Sequence, residues 1–517
     1  MQLVLIAAVA LAGFFLASYL AFLSYRRFAE RARGQPSVAL PVSEQGTLLD
    51  SLVAPLLIER PGQTGMILLS GNLDAFAARV LAARQAGRSL DLQYYLWHGD
   101  LTGRLLANEV LQAADRGVRV RLLLDDINAH RHDKTYLALD AHPNIDVRLF
   151  NPSRNREGAI RRAVEMSLRA VRIMRRMHNK AWIADGRLVV IGGRNIGDAY
   201  FDAASSSNFR DLDLLMLGSA VGQAEAIFDS YWNSKAVIPI RALGKRHRKK
   251  LSKLRKRLAA LMTDEAARPY LDRVAEEAAV REMLSGQGQI HWTTDARIVA
   301  DPPEKAKGAG QENWLMNLIR PLLTSARTNL EIISPYFIPG EAGTSQLVEL
   351  AGKGVRVSVL TNSLAATDVT AVHGAYARYR WPLVEAGVEL YELKPYDDRR
   401  RGSLFGSSSA SLHTKAFTVD NRSGFVGSMN FDPRSLSLNT EMGVVFGHGD
   451  LIREIRDIFA EETSPQKSYR IRIDGGEIAW QDGWGGAIRT LRDEPEAGIG
   501  RRLMATIISF LPIQSQL

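Results

Sequence analysis

The sequence predicts an internally duplicated α/β protein. Two halves are expected, each a largely parallel or mixed sheet covered by helices, behind an N-terminal transmembrane helix. Three observations predict it. The chain opens on an uncharged apolar run, a strand–helix–strand order occurs twice, and a His-x-Lys hairpin closes each copy, with the two histidines 235 positions apart.

The apolar run, Leu3 to Leu23, is 21 residues long, and about 20 suffice for a helix to cross the hydrocarbon core. A cleavable signal peptide would place its basic residues first and end on a small-residue cleavage site. Here Arg26, Arg27, Arg31 and Arg33 follow the run. An uncleaved anchor is therefore expected over residues 1–34, and the positive-inside bias keeps the body in the cytoplasm.

Residues 35–70 begin with GQPSVALPVSEQG and read as linker. The first half, 71–239, starts with the alternating strand RSLDLQYYLWHGD (Arg88 to Asp100). A helix follows around Leu105 to Arg116, then the strands GVRVRLLLDD (Gly117 to Asp126) and IDVRLF (Ile145 to Phe150). The second half, 289–465, repeats the order. TNLEIISPYFIPG (Thr328 to Gly340) precedes a helix around Ser345 to Lys353, then GVRVSVLTNS (Gly354 to Ser363) and GVELYEL (Gly387 to Leu393). The two GVRV segments lie 237 positions apart, close to the histidine spacing of 235. Order and spacing kept over four elements mark the duplication of a unit of ordinary domain size.

The formal charge of +10 is local. Lys245 to Arg257, in the helical connector 240–288, holds nine Lys and Arg and no acid; Arg154 to Arg176 holds eight Arg against Glu157 and Glu165. Such patches bind anionic surfaces, membrane or nucleic acid, although the connector run reads equally well as a solvated insertion. The last segment, 466–517, ends in GRRLMATIISFLPIQSQL, basic then apolar and too short to span. It either lies in a membrane interface or packs on the domain. The absence of cysteine excludes disulfides, thiol catalysis and Cys-ligated metal.

The repeated hairpins carry the chemistry. HNKAWIAD followed by GRLVVIGG reads as strand, tight turn, strand. Residues i and i+2 share a strand face, so His178 and Lys180 point together, as do His413 and Lys415. The pairing suits a phosphate: the ammonium holds oxygens while the imidazole attacks phosphorus or moves a proton. Asp185 and Asp420 stand seven positions beyond their histidines, an odd offset, and are expected to pin the turn or support the site from behind. Another carboxylate must then fix each histidine tautomer. Asp211 and Glu441, each at the start of a strand downstream of its motif, are the candidates, with Asp213 a rival to Asp211. Gly193 and Ser428 let backbone approach a ligand, and Asn195 and Asn430, each ten positions after its aspartate, can donate to phosphate. His130 and His132 read as solvated loop residues, whereas His373 lies on a helical run from which it could reach a head group. No metal-ligand pattern occurs, and no metal or other cofactor is called for.

At these residues the sequence resembles the phospholipase D superfamily, marked by a pair of H-x-K-x4-D motifs. The likeness runs from about residue 70 to 465, and YYLWHGD, GGRNIGDAYF, SPYFIP and FDPRSLSLNTE look most like bacterial cardiolipin synthases. The resemblance implies two α-β-α sandwich halves with mixed sheets packed around one shared active site, in which His178, Lys180, Asp185, His413, Lys415 and Asp420 form one catalytic set. One histidine would attack the diester phosphorus and the other protonate the leaving alcohol, through a phosphohistidine. By the same resemblance His178 is the nucleophile and His413 the acid/base; pseudo-symmetry leaves the reverse open. The implied reaction transfers a phosphatidyl group to phosphatidylglycerol from phosphatidylglycerol or phosphatidylethanolamine at the bacterial inner membrane, with the anionic membrane surface as partner and no nucleic acid expected. Hydrolysis by water is the alternative, and a nuclease of the same superfamily is disfavoured by the anchor.

Overall fold

The computed structural model describes residues 1–511, apart from 43–45, 157, 170–172, 206, 245–247, 266, 277–288, 396–409 and 484–487. Arg172, the first three residues of the connector run and the tail beyond Leu511 therefore lie outside the described residues.

Gln2–Arg31 forms one 30-residue helix, long and apolar enough to cross a membrane, with a mean hydropathy of 2.3 in its most apolar stretch. The first sheet takes its strands in chain order from β1 (Thr64–Leu69), β2 (Ser89–Tyr94), β3 (Arg119–Asp125), β4 (Ile145–Phe150), β5 (Ala181–Ala184) and β6 (Leu188–Gly192). Past a short β7 (Asn208–Arg210), β8 (Asp213–Gly218), β9 (Val237–Pro239) and β10 (His291–Thr293) complete it. The second sheet uses β11 (Ala296–Ala300), β12 (Asn329–Ile333), β13 (Arg356–Asn362) and β14 (Glu389–Leu393). After a short β15 (Ala410–Leu412) come β16 (Ala416–Val419), β17 (Ser423–Gly427) and β18 (Met442–Phe446), and the C-terminal β19 (Ser468–Asp474), β20 (Glu477–Asp482) and β21 (Arg489–Leu491).

The spatial orders are β10-β1-β8-β6-β5-β2-β3-β4-β9 and β11-β18-β17-β16-β12-β13-β14-β19-β20-β21. Removing the edges leaves β1-β8-β6-β5-β2-β3-β4 matched strand for strand by β11-β18-β17-β16-β12-β13-β14, so the duplication extends to sheet topology. Among the described strands of each sheet, only β2–β3–β4 and β12–β13–β14 run parallel. The helices Leu101–Asp115 and Gly340–Gly352 supply the first crossover of each sheet, and Asp133–Leu139 and Thr370–Glu385 the second, as parallel neighbours require. Both sheets are mixed.

Among the described residues, three large apolar cores and two small clusters are buried. One joins the outer face of the first sheet to its helices, including Leu90, Leu92, Leu106 and Val120. Another fills the second half, with Leu330, Val357, Tyr376 and Phe417. Between them lies a shared core in which Ile183, Val189 and Met216 of the first sheet meet Val426, Val444 and Phe446 of the second. Burying apolar side chains of both sheets in one core holds the halves together.

Two stretches differ from the sequence reading. Residues 35–70 are not all linker: Leu48–Ile58 is a helix with a Thr47–Asp50 capping box, and its Leu49 and Val53 are buried in the first core, because LLDSLVAPLLI is too apolar to remain in water. The connector run is not a solvated insertion either. Arg248–Leu261 is a helix whose Leu258 and Leu261 are buried in the first core while Leu251 and Leu254 pack beside them. Leucines at helical spacing dock it, and Arg255 pairs with Asp115.

Candidate active site

Each His-x-Lys segment immediately precedes a hairpin, Lys180 adjoining Ala181 of β5 and Lys415 adjoining Ala416 of β16. β5–β6 and β16–β17 are antiparallel two-strand units, turned by Asp185 at φ 55° and Asp420 at φ 52°. A left-handed residue here suits Asp, whose short side chain tolerates that region. Both aspartates face away from the imidazoles and gather backbone donors. Asp185 accepts from the amides of Gly87, Arg88 and Ser89 at 2.7–2.9 Å. Asp420 accepts from Arg327, Thr328 and Asn329 at 2.8–2.9 Å. They fasten each hairpin to the start of its neighbouring strand, so their placement in a reacting set is corrected to that of anchors for the turn.

The carboxylates that reach the imidazoles are Glu441 and Asp211, but crosswise. Nδ1 of His178 lies 2.8 Å from Glu441 Oε2, and Nδ1 of His413 lies 2.6 Å from Asp211 Oδ2. Each half supplies the carboxylate for the other half's histidine, where the sequence suggested a partner downstream in the same half. Main-chain pairing builds the exchange. The His178 amide donates to the Thr440 carbonyl at 2.8 Å and the Thr440 amide to Arg176. β7 and β15 pair in parallel, Arg210 opposite Leu412, and the His413 amide donates to the Arg210 carbonyl at 2.8 Å. Thus residues 210 and 440, each one position before a carboxylate, are clamped beside the opposite histidine. Asp213 is no rival: it is fully buried in an ion pair with Arg79 at 2.8 Å and approaches Arg194 at 3.4 Å.

The supposed phosphate cradle also proves to serve other groups. The Ser428 hydroxyl donates to Glu441, and the Ser435 hydroxyl holds the other carboxylate oxygen at 2.8 Å. Gly193 leaves room for Asp211, whose Oδ1 would stand 2.2 Å from any Cβ built there. Asn195 donates to the Tyr200 hydroxyl at 2.7 Å and accepts from the Leu96 amide. Of the four, only Asn430 keeps a buried side-chain oxygen without a hydrogen-bond partner. His373 is not at a head group. It is buried, with Nδ1 toward the Asn362 carbonyl at 3.2 Å and Nε2 against Arg380 and Glu494. The described cavity that encloses His132, about 560 Å³, includes neither paired histidine in its lining.

Burial dominates the electrostatics. The imidazoles are 8% and 6% exposed and both lysines 1%. Desolvation pulls the pKa of Lys180 down to about 7 and that of Lys415 to about 8. It also lowers both imidazoles, His413 further than His178, each within the field of both lysines. Burial works to raise Glu441 too, but His178, Lys180 and the Ser428 hydroxyl outweigh it and hold the carboxyl below its ordinary value. Asp211, with fewer donors, is raised by its burial. Each Lys Nζ donates to the carbonyl of the histidine two positions earlier.

Residues that the sequence reading missed surround this core. Tyr95 lies edge-on to His178, with centroids 4.8 Å apart. Tyr200 and Phe209 flank His413 at 5.2 and 5.0 Å. Asp301 accepts from the Glu441 amide and is itself held by Lys305 at 2.8 Å. Asp125 and Asn362 end β3 and β13. Asp125 accepts from the Met177 amide at 2.8 Å, and Asn362 makes a two-way bond with Leu412 at 2.9 Å. Both clamp the residue before a paired histidine, and both lie at the 237-residue offset of the GVRV segments, a signal the sequence did contain.

Comparison with known proteins agrees with this fold. The family described as cardiolipin synthase, PLD-like domain, matches residues 81–232 and 319–463. The chain is 39% identical over 473 residues to cardiolipin synthase C of Escherichia coli (strain K12), covering 90% of this chain and 99% of that one. It is 26% identical to a cardiolipin synthase of Geobacillus thermodenitrificans (strain NG80-2), over 87% of this chain and 80% of the other. Phosphatidylserine synthase of Haemophilus influenzae Rd KW20 superposes with a TM-score of 0.54 at 14% identity, over 78% of this chain and 87% of that structure, and so shares the fold. With both halves matched and one such relative aligned over 90% of this chain and 99% of its own length, the chain belongs to the phospholipase D-like cardiolipin synthases, enzymes of phosphatidyl transfer.

Proposed function

We propose that the crossed His–carboxylate pairs carry out a two-step exchange on a phospholipid diester. His178 Nε2 attacks phosphorus, the P–O bond to the leaving alcohol breaks, and His413 Nε2 gives that oxygen its proton. Burial disfavours protonation of His413 in the empty site, but the ring takes up a proton as the phosphodiester anion binds. The acceptor hydroxyl then returns a proton to His413 as its oxygen displaces His178 from phosphorus. The observation that carries this reading is the pair of Nδ1 contacts, 2.8 Å to Glu441 and 2.6 Å to Asp211, which leave Nε2 of both rings for chemistry. An ionised Glu441 favours the positive charge that develops on His178 as it bonds to phosphorus. Lys180 and Lys415, discharged part of the time in the empty site, regain protons beside the phosphodiester anion and hold its oxygens.

The donor is phosphatidylglycerol or phosphatidylethanolamine, the acceptor phosphatidylglycerol, and the product cardiolipin. The body lies on the cytoplasmic face of a bacterial inner membrane. Exposed apolar side chains support that placement: Ile160 and Val164 on the helix Ala159–Leu168, and Leu503, Ile507 and Phe510 on the C-terminal helix Ile499–Phe510. The C-terminal helix also grips the body through Arg501, which donates to the carbonyls of Ala365 and Thr367.

The test is product analysis by mass, with the purified full chain and phosphatidylglycerol, alone or with phosphatidylethanolamine. Cardiolipin with release of glycerol or ethanolamine is expected. Phosphatidic acid as the sole product would replace transfer by hydrolysis, and intact lipid throughout would refute both.

A further inference from the structure

Where the anchor helix meets the body there is a cavity of about 300 Å³. Phe22 and Tyr25 form part of its apolar wall, and Arg26, Arg33, Lys235 and Lys307 bring positive charge to it. These cations come from three segments far apart in sequence: the anchor, the turn before β9, and the 3-10 turn Pro303–Lys307. Glu30 is the one carboxylate in the lining, and Arg26 already engages it at 2.9 Å. Bringing like charges together costs free energy unless an anion joins them.

The junction is built rather than a loose gap. The Tyr25 hydroxyl donates to the Pro152 carbonyl at 2.8 Å, the Arg169 guanidinium lies 3.3 Å from the Tyr25 ring centroid, and Arg33 donates to the Asn233 carbonyl at 3.0 Å. Its height along the anchor is informative. Phe22 falls at the end of the uncharged stretch and Arg26 begins the basic one, so the cavity sits where hydrocarbon gives way to phospholipid head groups. The neighbouring helix Ala159–Leu168 leaves Ile160 81% exposed, as suits the same boundary.

We propose that this cavity holds the head-group phosphate of an acidic glycerophospholipid, whose acyl chains run along the apolar part of the anchor. It is a second lipid site, apart from the His–Lys centre. Its volume lies at the small end of the ~300–1,000 Å³ that ligand pockets occupy, enough for a head group and too small for a whole lipid. It also adjoins the support of the catalytic pair, because the turn carrying Lys307 contains Lys305, which holds Asp301 and through it the Glu441 amide. The inference rests on the reading of the chain as a membrane enzyme of phospholipids, but its test uses binding alone.

The full chain with His178→Ala and His413→Ala, which stops turnover, is reconstituted in detergent micelles with dioleoyl phosphatidylglycerol, dioleoyl phosphatidylcholine or inorganic phosphate. Retained lipid is counted by native mass spectrometry. One phosphatidylglycerol per chain is expected to be lost on adding Lys235→Glu, with at least a tenfold weaker affinity and an unchanged melting temperature. Equal retention in the charge-reversed protein would overturn the site. So would equal retention of phosphatidylcholine, which would mean a nonspecific lipid annulus, or displacement of the lipid by millimolar inorganic phosphate. Because no turnover is measured, a failed catalytic mechanism leaves this result standing.

Discussion

Glu441, carried by the second half, stands 2.8 Å from Nδ1 of His178, carried by the first. Among the described residues, neither half supplies the carboxylate that its own motif histidine uses. Glu441→Gln keeps the shape but leaves an amide where the imidazole needs an anion. The expected loss in kcat is about 10²–10⁴-fold, with phospholipid binding little changed. Imidazole NMR checks the wiring: the hydrogen-bonded Nδ1 proton of His178 should disappear in this variant while that of His413 remains. Loss of the His413 signal instead would place Glu441 in the wrong pair.

The aspartates of the two motifs should behave unlike the histidines. Asp185 is fully buried and takes three backbone donors, so Asp185→Ala orphans amides and should cost about 3 kcal/mol of stability. Activity should fall with the folded fraction and return on cooling. His178→Ala should abolish turnover at every temperature while the melting temperature holds. Equal losses of activity per folded molecule in the two variants would return Asp185 to the reacting set.

Lys180 and Lys415 give the pH dependence. Their pKa values near 7 and 8 mean that the empty site loses cationic charge as pH rises through that range. kcat/KM should therefore decline on the alkaline side, from about pH 7 upward. Stability runs the other way. A lysine whose folded pKa lies below its unfolded 10.5 binds fewer protons when folded, so the empty protein gains stability as pH rises from about 7 toward 10.5. Lys180→Met should flatten that rise in a melting-temperature profile while abolishing turnover. A profile parallel to that of the unaltered protein would contradict the depressed pKa.

Asp125 and Asn362 are predicted to be positioning residues that act through the main chain on Met177 and Leu412. Asp125→Ala and Asn362→Ala should each lower kcat about 10–100-fold, with KM nearly constant. Asn362→Asp should recover part of the loss, since one oxygen still accepts from the Leu412 amide. A change in KM alone would assign them to substrate binding.

Much of this site was legible because it is local. Strand alternation placed His178 with Lys180 and turned Asp185 away, and the odd offset alone anticipated that the aspartates would not touch the rings. The repeat predicted matched halves, and the structure carries the match through seven strands of each sheet. The 237-residue offset also held the equivalence of Asp125 and Asn362, although their role needed the contacts.

By itself the sequence determined the apolar helix, the duplicated α/β unit and the residues of both motifs, for these depend on periodicity and spacing along one chain. Only the tertiary structure decided which carboxylate serves which histidine, that Ser428 and Gly193 serve carboxylates rather than phosphate, and that the connector's leucines dock on the first half. Such pairings are set where two sheets share a core and exchange main-chain hydrogen bonds, between residues 202 and 263 positions apart. No periodicity within either half encodes a contact that exists only when the halves meet.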